Sequence, residues 1–396
     1  MRGTPVTIRA AKVGKAELLL LVGSLALSGG LVEILLRIML FSGLAPSVAM
    51  SLVGFVSAPG TDDAYRIELA VQRRQHPARN STFTTFDPTL GHTARPRTPD
   101  NPLGLAEERP YSLDQLRSGH HMLFFGDSFT EGFTEYPDKI PQLLDRTLRN
   151  VRVLNFGVMG YGLDQMYLRM MQTAGLFDHP HLVFGVLFDD MDRVVFRVRE
   201  APKPIFMLVN GRLELHNVPL PASYEDWARA YPPSERSYAL ALLRGTVNRV
   251  LKTHWAYDHA FGLTPGERLG GRKDKMRVVA ALVRAIKTEA ARRGNRLTFV
   301  IFPHPEHLTH RGWREEFLTT LLRAEGIDYI DLKEPLLRRL RQSNLRWWRD
   351  VYGLENHPTV SENQLLAGYI AQCLTERYGY GLALSPAALA STTGLC

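Results

Sequence analysis

A serine placed directly after a short apolar run is the first group in this chain suited to chemistry. Gly126-Asp127-Ser128-Phe129 follows His121-Met122-Leu123-Phe124-Phe125. If that run is a strand, Ser128 stands at its carboxyl end, where open α/β sheets bind ligands. A helix starting just beyond would present free N–H groups that favour developing negative charge. Ser128 would then act as a nucleophile; it would equally serve as a plain helix cap, a role that Ser and Asp both fill well. His357, in Glu355-Asn356-His357-Pro358-Thr359, is of the type that takes a proton near neutral pH. Pro358 restricts the backbone just before it, and a single His ahead of a helix is as often structural.

Two further blocks follow apolar runs. Asn155-Phe156-Gly157-Val158-Met159-Gly160-Tyr161-Gly162 has the spacing G-x-x-G-x-G. The dinucleotide fingerprint is G-x-G-x-x-G, so no nucleotide cofactor is expected. Glycine here lets backbone approach a ligand and offer an N–H, or simply makes a tight strand–helix turn. Asp189-Asp190-Met191-Asp192-Arg193 follows the run His181–Phe188. Three carboxylates invite a magnesium reading; acidic residues opening a helix, with an Arg to pair, are the simpler one. His304, His307 and His310 sit in a Pro-containing loop with a spacing that fits no strong metal motif, so no metal is expected. Cys373 falls on the apolar face of the last helix and reads as core.

The elements that must position these groups alternate. Strands are predicted at His121–Phe125, Val151–Asn155, His181–Phe188, Arg296–Phe302 and Tyr329–Leu332. Helices are predicted at Ile140–Thr147, Leu163–Thr173, Met276–Arg293, Trp313–Ala324 and Ser361–Glu376. This alternation predicts a mainly parallel sheet covered on both faces. An insertion at about 197–274 interrupts it. It opens with Ile205–Val209, Asn210-Gly211 and Arg212–His216, a hairpin signal because both turn residues need positive φ. The rest of the insertion would either cap a site or decorate the surface.

Ahead of the sheet, Arg2, Arg9, Lys12 and Lys15 precede an uncharged run from Leu18 to Val32, and the apolar pattern continues past Glu33. About 20 apolar residues span a bilayer as a helix. Basic residues before the span favour a cytoplasmic N-terminus. Glu33 and Arg37 are spaced to pair at the far end. A second uncharged stretch, 38–58, reads as a helix extension followed by an interfacial segment; if it spans instead, the rest of the chain returns to the cytoplasm. The expected organisation is a cytoplasmic N-terminus and signal anchor over 1–41, a juxtamembrane segment and linker over 42–115, the main domain over 116–380, and a flexible tail over 381–396.

Composition excludes several classes. Of 396 residues, 45% are hydrophobic and 22% charged, which rules out a wholly disordered chain. Two cysteines, Cys373 and Cys396, cannot form a disulfide framework or a four-thiolate zinc site. The net charge of +8 is spread along the chain and does not argue for nucleic acid.

The order of the blocks is more specific than any one of them. A G-D-S-F block after the first core strand, N-x-G-x-x-G-x-G about 30 residues on, an acidic third block and a C-terminal H-P block resemble the SGNH/GDSL hydrolase superfamily. The resemblance covers roughly His120 to Tyr378. The apolar N-terminus, the stretch Phe86-Asp87-Pro88-Thr89-Leu90-Gly91 and the hairpin flanked by Lys203-Pro204 and Val218-Pro219 are similar to a membrane-anchored bacterial branch. The resemblance implies a flavodoxin-like three-layer α/β/α fold. It implies Ser128 as nucleophile, His357 as base, and Ser128 and Gly157 N–H groups as an oxyanion hole. Asp189 stands where that superfamily's third donor, an Asn, is expected. A carboxylate there cannot donate, so Asp189 serves only when protonated, another donor serves, or turnover is slow. Leu354 replaces the usual orienting Asp, leaving Glu355, two residues before His357, or Asp350. The implied activity is that of an esterase or O-acyltransferase with an ester or acylated glycan as substrate and no cofactor. It would sit at the bacterial inner membrane with its domain periplasmic or extracellular. The same fold with an impaired oxyanion hole would instead make an envelope glycan-binding or assembly protein.

Overall fold

The computed structural model describes residues 14–57, 62–75, 85–221, 223–233, 235–251, 272–304, 308, 312–342, 352–353 and 356–383. These residues divide into two compact units, the first taking in 14–57, 67–75 and 235–251. Its leading element, α1 (Lys15–Phe41), is 27 residues long and apolar enough to cross a membrane. Next comes α2 (Pro46–Val56), whose 11 residues are too few to span. The stretch 38–58 is therefore an extension of α1 as far as Phe41 followed by a short separate helix. The third helix, α3 (Asp62–Gln75), lies partly in each unit.

The second unit holds the sheet. A small hairpin pairs β1 (Thr85–Asp87) with β2 (Gly91–Thr93). The body then runs β3 (His121–Gly126), α4 (Ser128–Glu131), α5 (Ile140–Thr147), β4 (Leu148–Arg149), β5 (Arg152–Gly157), α6 (Leu163–Thr173), β6 (His181–Leu187) and α7 (Asp190–Arg193). The insertion supplies β7 (Ile205–Val209), β8 (Arg212–His216), α8 (Tyr224–Ala230) and, in the first unit, α9 (Tyr238–Leu251). The chain closes with α10 (Arg272–Arg292), β9 (Arg296–Phe302), α11 (Trp313–Ala324), β10 (Asp328–Asp331), α12 (Lys333–Gln342), α13 (Val360–Tyr378) and β11 (Gly381–Leu382).

Five strands pair in the order β10-β9-β6-β3-β5, all parallel. In chain order this is 2-1-3-4-5, the flavodoxin-like arrangement expected. Side chains alternate across the sheet. Leu123 and Phe125 of β3 join one core with α6, α10 and α11. Met122 and Phe124 join the other with α5, α12 and α13. The near-continuous apolar strands are what a sheet buried on both faces requires. Asn210 (φ 51°) and Gly211 (φ 78°) make the two-residue turn between β7 and β8.

Two boundaries differ from the sequence reading. Residues 85–115 are not linker: Leu90, Leu103, Leu105 and Tyr111 are buried in the first of those cores. Beyond the β1–β2 hairpin, their prolines punctuate a segment tied down by side chains. The Asp87 carboxylate accepts the N–H groups of Thr89 and Leu90 and pairs with Arg97 at 2.7 Å. The tail is not free from residue 381, because β11 pairs with β4. The insertion does not act as one body, since β7 and β8 pack on the sheet unit while α9 belongs with α1 and α2.

At the carboxyl end of the sheet, Gly126 lies in register with Gly157 on one side and Gly185 on the other. The one-turn helix α4 rests on this row. A Cβ on Gly157 would strike the backbone nitrogen of Glu131 and come within 2.7 Å of the Thr130 carbonyl carbon. One on Gly126 would lie 2.5 Å from Thr130 Cβ, and one on Gly185 would lie 2.8 Å from Phe124. The row of three glycines thus sets how deeply the Ser128 turn sits. Gly157→Ala pushes on backbone that cannot rotate away, and should lower stability by about 1–3 kcal/mol. A denaturant midpoint equal to that of the parent would contradict this packing.

Candidate active site

Ser128 opens α4, with Asp127 as the preceding cap: Asp127 Oδ1 accepts the Phe129 N–H at 2.9 Å. The turn ends at Gly132, where φ is 83°. Ser128 Oγ is 2.8 Å from His357 Nε2, across 229 residues of sequence. The serine and histidine are 7% and 9% exposed, so the pair is shielded but reachable. The His357 ring lies against Phe129 and stacks on Phe133, with centroids 4.6 and 4.0 Å away. Its loop is fixed at both ends. The Gly353 N–H donates to the His357 carbonyl at 2.7 Å, and Tyr352 OH donates to the Pro303 carbonyl at the end of β9. One turn into α13, Asn363 Nδ2 donates to Thr134 Oγ1 and the Asp138 carbonyl, tying that helix to the segment after α4. Glu355, Asp350 and Leu354 lie outside the described residues, as do His307 and His310.

The expected oxyanion donors fare differently. The Ser128 N–H makes no hydrogen bond among the described residues. The Gly157 N–H, by contrast, is already given to Asn155 Oδ1 at 3.0 Å. This corrects its reading as a free donor: Asn side chains readily bond backbone two residues on, and Asn155 is placed to do so. Asn155 Nδ2 reaches back to the Glu131 carbonyl and Gln142 Oε1. Further round the same turn is Gly160, with φ 75°. Its N–H makes no hydrogen bond among the described residues. The turn is held against α4 by the Met159 N–H, which donates to the Glu131 carboxylate at 2.6 Å. Asp189 is half-buried after β6, caps no N–H of α7, and its carboxylate makes no hydrogen bond among the described residues.

Beneath the pair lies a group of charges that sequence reasoning did not assemble. Arg193 Nη1 contacts Asp127 Oδ2 at 3.0 Å, Asp190 Oδ1 at 2.5 Å and the Tyr161 carbonyl at 2.9 Å. Two N–H bonds on that nitrogen serve three acceptors, so one is shared. Asp190 Oδ2 in turn accepts the Leu187 N–H at 2.8 Å. The pairing of Arg193 with Asp190 agrees with the structural reading of the D-D-M-D-R block; its contact with Asp127 was not foreseen. Burial raises the Asp190 carboxyl well above its usual range, with the Asp127 charge adding and Arg193 opposing. Burial also works against the Arg193 charge, but Asp190, Asp127 and Asp189 together raise it above the usual guanidinium value. Beside it, the fully buried Lys203 pairs with Asp164 at 2.5 Å and donates to the carbonyls of Arg193, Phe196 and Pro204. A lysine inside an apolar stretch, Lys203-Pro204-Ile205-Phe206, is the signal that would have pointed to a buried partner.

No family model and no curated protein matches the chain. Among solved structures, it is similar to a member of the lipolytic protein G-D-S-L family from Veillonella parvula: 14% identity, TM-score 0.34, over 66% of this chain and 98% of that one. A catalytic mutant of an acetylxylan esterase from Geobacillus stearothermophilus gives 13% identity and TM-score 0.36, over 68% and 98%. An alpha/beta hydrolase enzyme from the metagenome of Lake Arreo, Spain, gives 12% and 0.31, over 65% and 97%. These values are too low to transfer an activity, which has to be argued from the geometry around Ser128.

Glu131 gives the site a measurable pH signature. Burial raises its carboxyl from 4.5 to about 7, with the Met159 N–H opposing. Because the folded value lies above the unfolded one, the folded state holds the proton more tightly. Its favourable contribution is complete below about pH 4.5 and is lost as pH rises through about 7, by on the order of 3 kcal/mol. Glu131→Gln has no such proton to lose. Urea midpoints of parent and variant near pH 4.5 and near pH 8 should show the parent falling relative to the variant at the higher pH. A parent that gains on the variant instead would contradict the assignment.

Proposed function

We propose that this chain is a membrane-anchored serine esterase or O-acyltransferase of the SGNH type. The 2.8 Å approach of Ser128 Oγ to His357 Nε2 carries the reading. It is a nucleophile–base pair at hydrogen-bond distance, seated between β3 and β6 where the strand order reverses, the site at which such sheets bind ligands. In the reaction, Ser128 Oγ attacks an ester carbonyl as His357 Nε2 takes its proton. The carbonyl oxygen becomes an oxyanion facing the Ser128 N–H. Collapse expels the alcohol, which receives the proton from His357, and leaves an acyl group on Ser128. Water as acceptor then gives hydrolysis; a sugar hydroxyl gives transfer. The faces of Phe129 and Phe133 suit the imidazolium formed in between.

The supporting context is α1, read as a single-pass anchor with basic residues before it. On that reading the domain would lie outside a bacterial inner membrane, where O-acyl groups on envelope glycans would be the substrate class. A second reading, a glycan-binding or assembly protein without turnover, is favoured by one observation: Asp189 occupies the place of a neutral donor. Losing such a donor costs on the order of 100- to 1,000-fold in rate.

Ser128→Ala removes one atom from a capped turn and should leave the fold unchanged while abolishing release of acetate from short-chain esters and acetylated glycans. Unchanged turnover in that variant would sink the mechanism. Binding of acetylated glycan with no turnover in the parent would establish the second reading.

A further inference from the structure

The insertion helix α9 carries an apolar face that the sheet does not use. Its inner face packs in the first unit: Tyr238 and Ala241 are buried with Leu36 and Leu40 of α1 and with Ala49, Val53 and Val56 of α2. Gly245 permits that approach, because a Cβ there would collide with the Phe55 carbonyl oxygen of α2. On the outer face, Leu240, Leu243 and Val247 are 59%, 60% and 43% exposed. Their spacing of three and four makes them one stripe.

Polar contacts fix where along α1 this stripe begins. Glu33 accepts hydrogen bonds from Ser237 Oγ at 3.1 Å and from the Ala239 N–H at 2.9 Å, at the first turn of α9. Arg37 pairs with Glu33 at 2.7 Å, donates to the Arg236 carbonyl at 3.1 Å and lies over the Tyr238 ring. The one acidic residue inside the long apolar run is thus explained: its carboxylate is satisfied by the start of another helix. If α1 crosses a membrane, Glu33 and Arg37 lie near its far end, within about a turn, or roughly 6 Å, of each other. The flanking Ile34, Leu35 and Ile38 are themselves exposed and apolar. The 14 residues of α9 are too few to cross.

We propose that α9 is a second membrane-contacting element, lying in the headgroup–acyl boundary beside the end of α1 with Leu240, Leu243 and Val247 in the lipid. An exposed apolar stripe on a short helix that packs against the end of a spanning helix is the pattern of an interfacial helix. The occupant is the bilayer, because the stripe starts at the level where α1 itself meets lipid. The insertion then serves to seat the protein on the membrane. This inference rests on reading α1 as the anchor.

The test is photo-crosslinking of the full chain in vesicles of phosphatidylethanolamine and phosphatidylglycerol. p-Benzoylphenylalanine is placed, one site at a time, at 240 and 243, at 25 within α1, and at 229 on the exposed face of α8. Intact masses after irradiation should show phospholipid adducts at 240 and 243, as at 25, and several-fold above the level at 229. A lipid adduct at 25 with none at 240 and 243, or with only a crosslinked second copy of the chain there, would overturn the proposal while sparing the anchor. Absence of lipid at 25 as well would overturn both.

Discussion

One guanidinium nitrogen holds the candidate site together. Arg193 Nη1 touches Asp127 next to Ser128, the Tyr161 carbonyl in the glycine-rich turn, and Asp190 after β6. These three segments leave the carboxyl ends of three neighbouring strands, β3, β5 and β6. A buried cation is tolerable only when its partners surround it. Here the partners are the very residues that place Ser128 and the turn beside it. Removing the guanidinium would leave Asp127 and Asp190 buried without a counter-charge, a loss of about 3–5 kcal/mol in comparable pairs. The network therefore makes the three loops arrive together or not at all. Lys203, with Asp164 and three carbonyls, extends the same logic to the first segment of the insertion.

Packing supplies the complementary constraint. The glycines at 126, 157 and 185 lie side by side on adjacent strands, and α4 is pressed onto them. Charge pulls the loops together while the glycine row lets the Ser128 turn sink far enough to be pulled. His357 comes from the opposite end of the chain, clasped between two phenylalanines that belong to the same turn and its continuation. The site is thus built on strand ends and a fixed helix start, which is what keeps a hydrogen bond of 2.8 Å in register across so much sequence.

Much of this was legible in the residues. Apolar runs of strand length alternating with helical periodicity located all five strands of the sheet, and Arg296–Phe302 and Leu163–Thr173 match to the residue. The pairing of Ser128 with His357 is what the resemblance to the superfamily implies. Local patterns carry such information because they report period and turn chemistry. They do not report which distant charge meets which, so the links from Asp127 to Arg193 and from Asp164 to Lys203 were invisible. The stretch 85–115 gives no such signal, because its apolar residues, among them Leu90, Leu103 and Leu105, follow no period, although they are buried. The role of Gly157 failed for a local reason: Asn155 was close enough to take its N–H.

What the geometry leaves to chemistry is whether Ser128 is an activated nucleophile with Asp189 in place of a neutral donor. The most direct measurement is the intact mass of the full chain after treatment with a fluorophosphonate, with Ser128→Ala alongside. The account predicts a single phosphonyl adduct on the parent and none on the variant. A folded parent that takes up no adduct would contradict it.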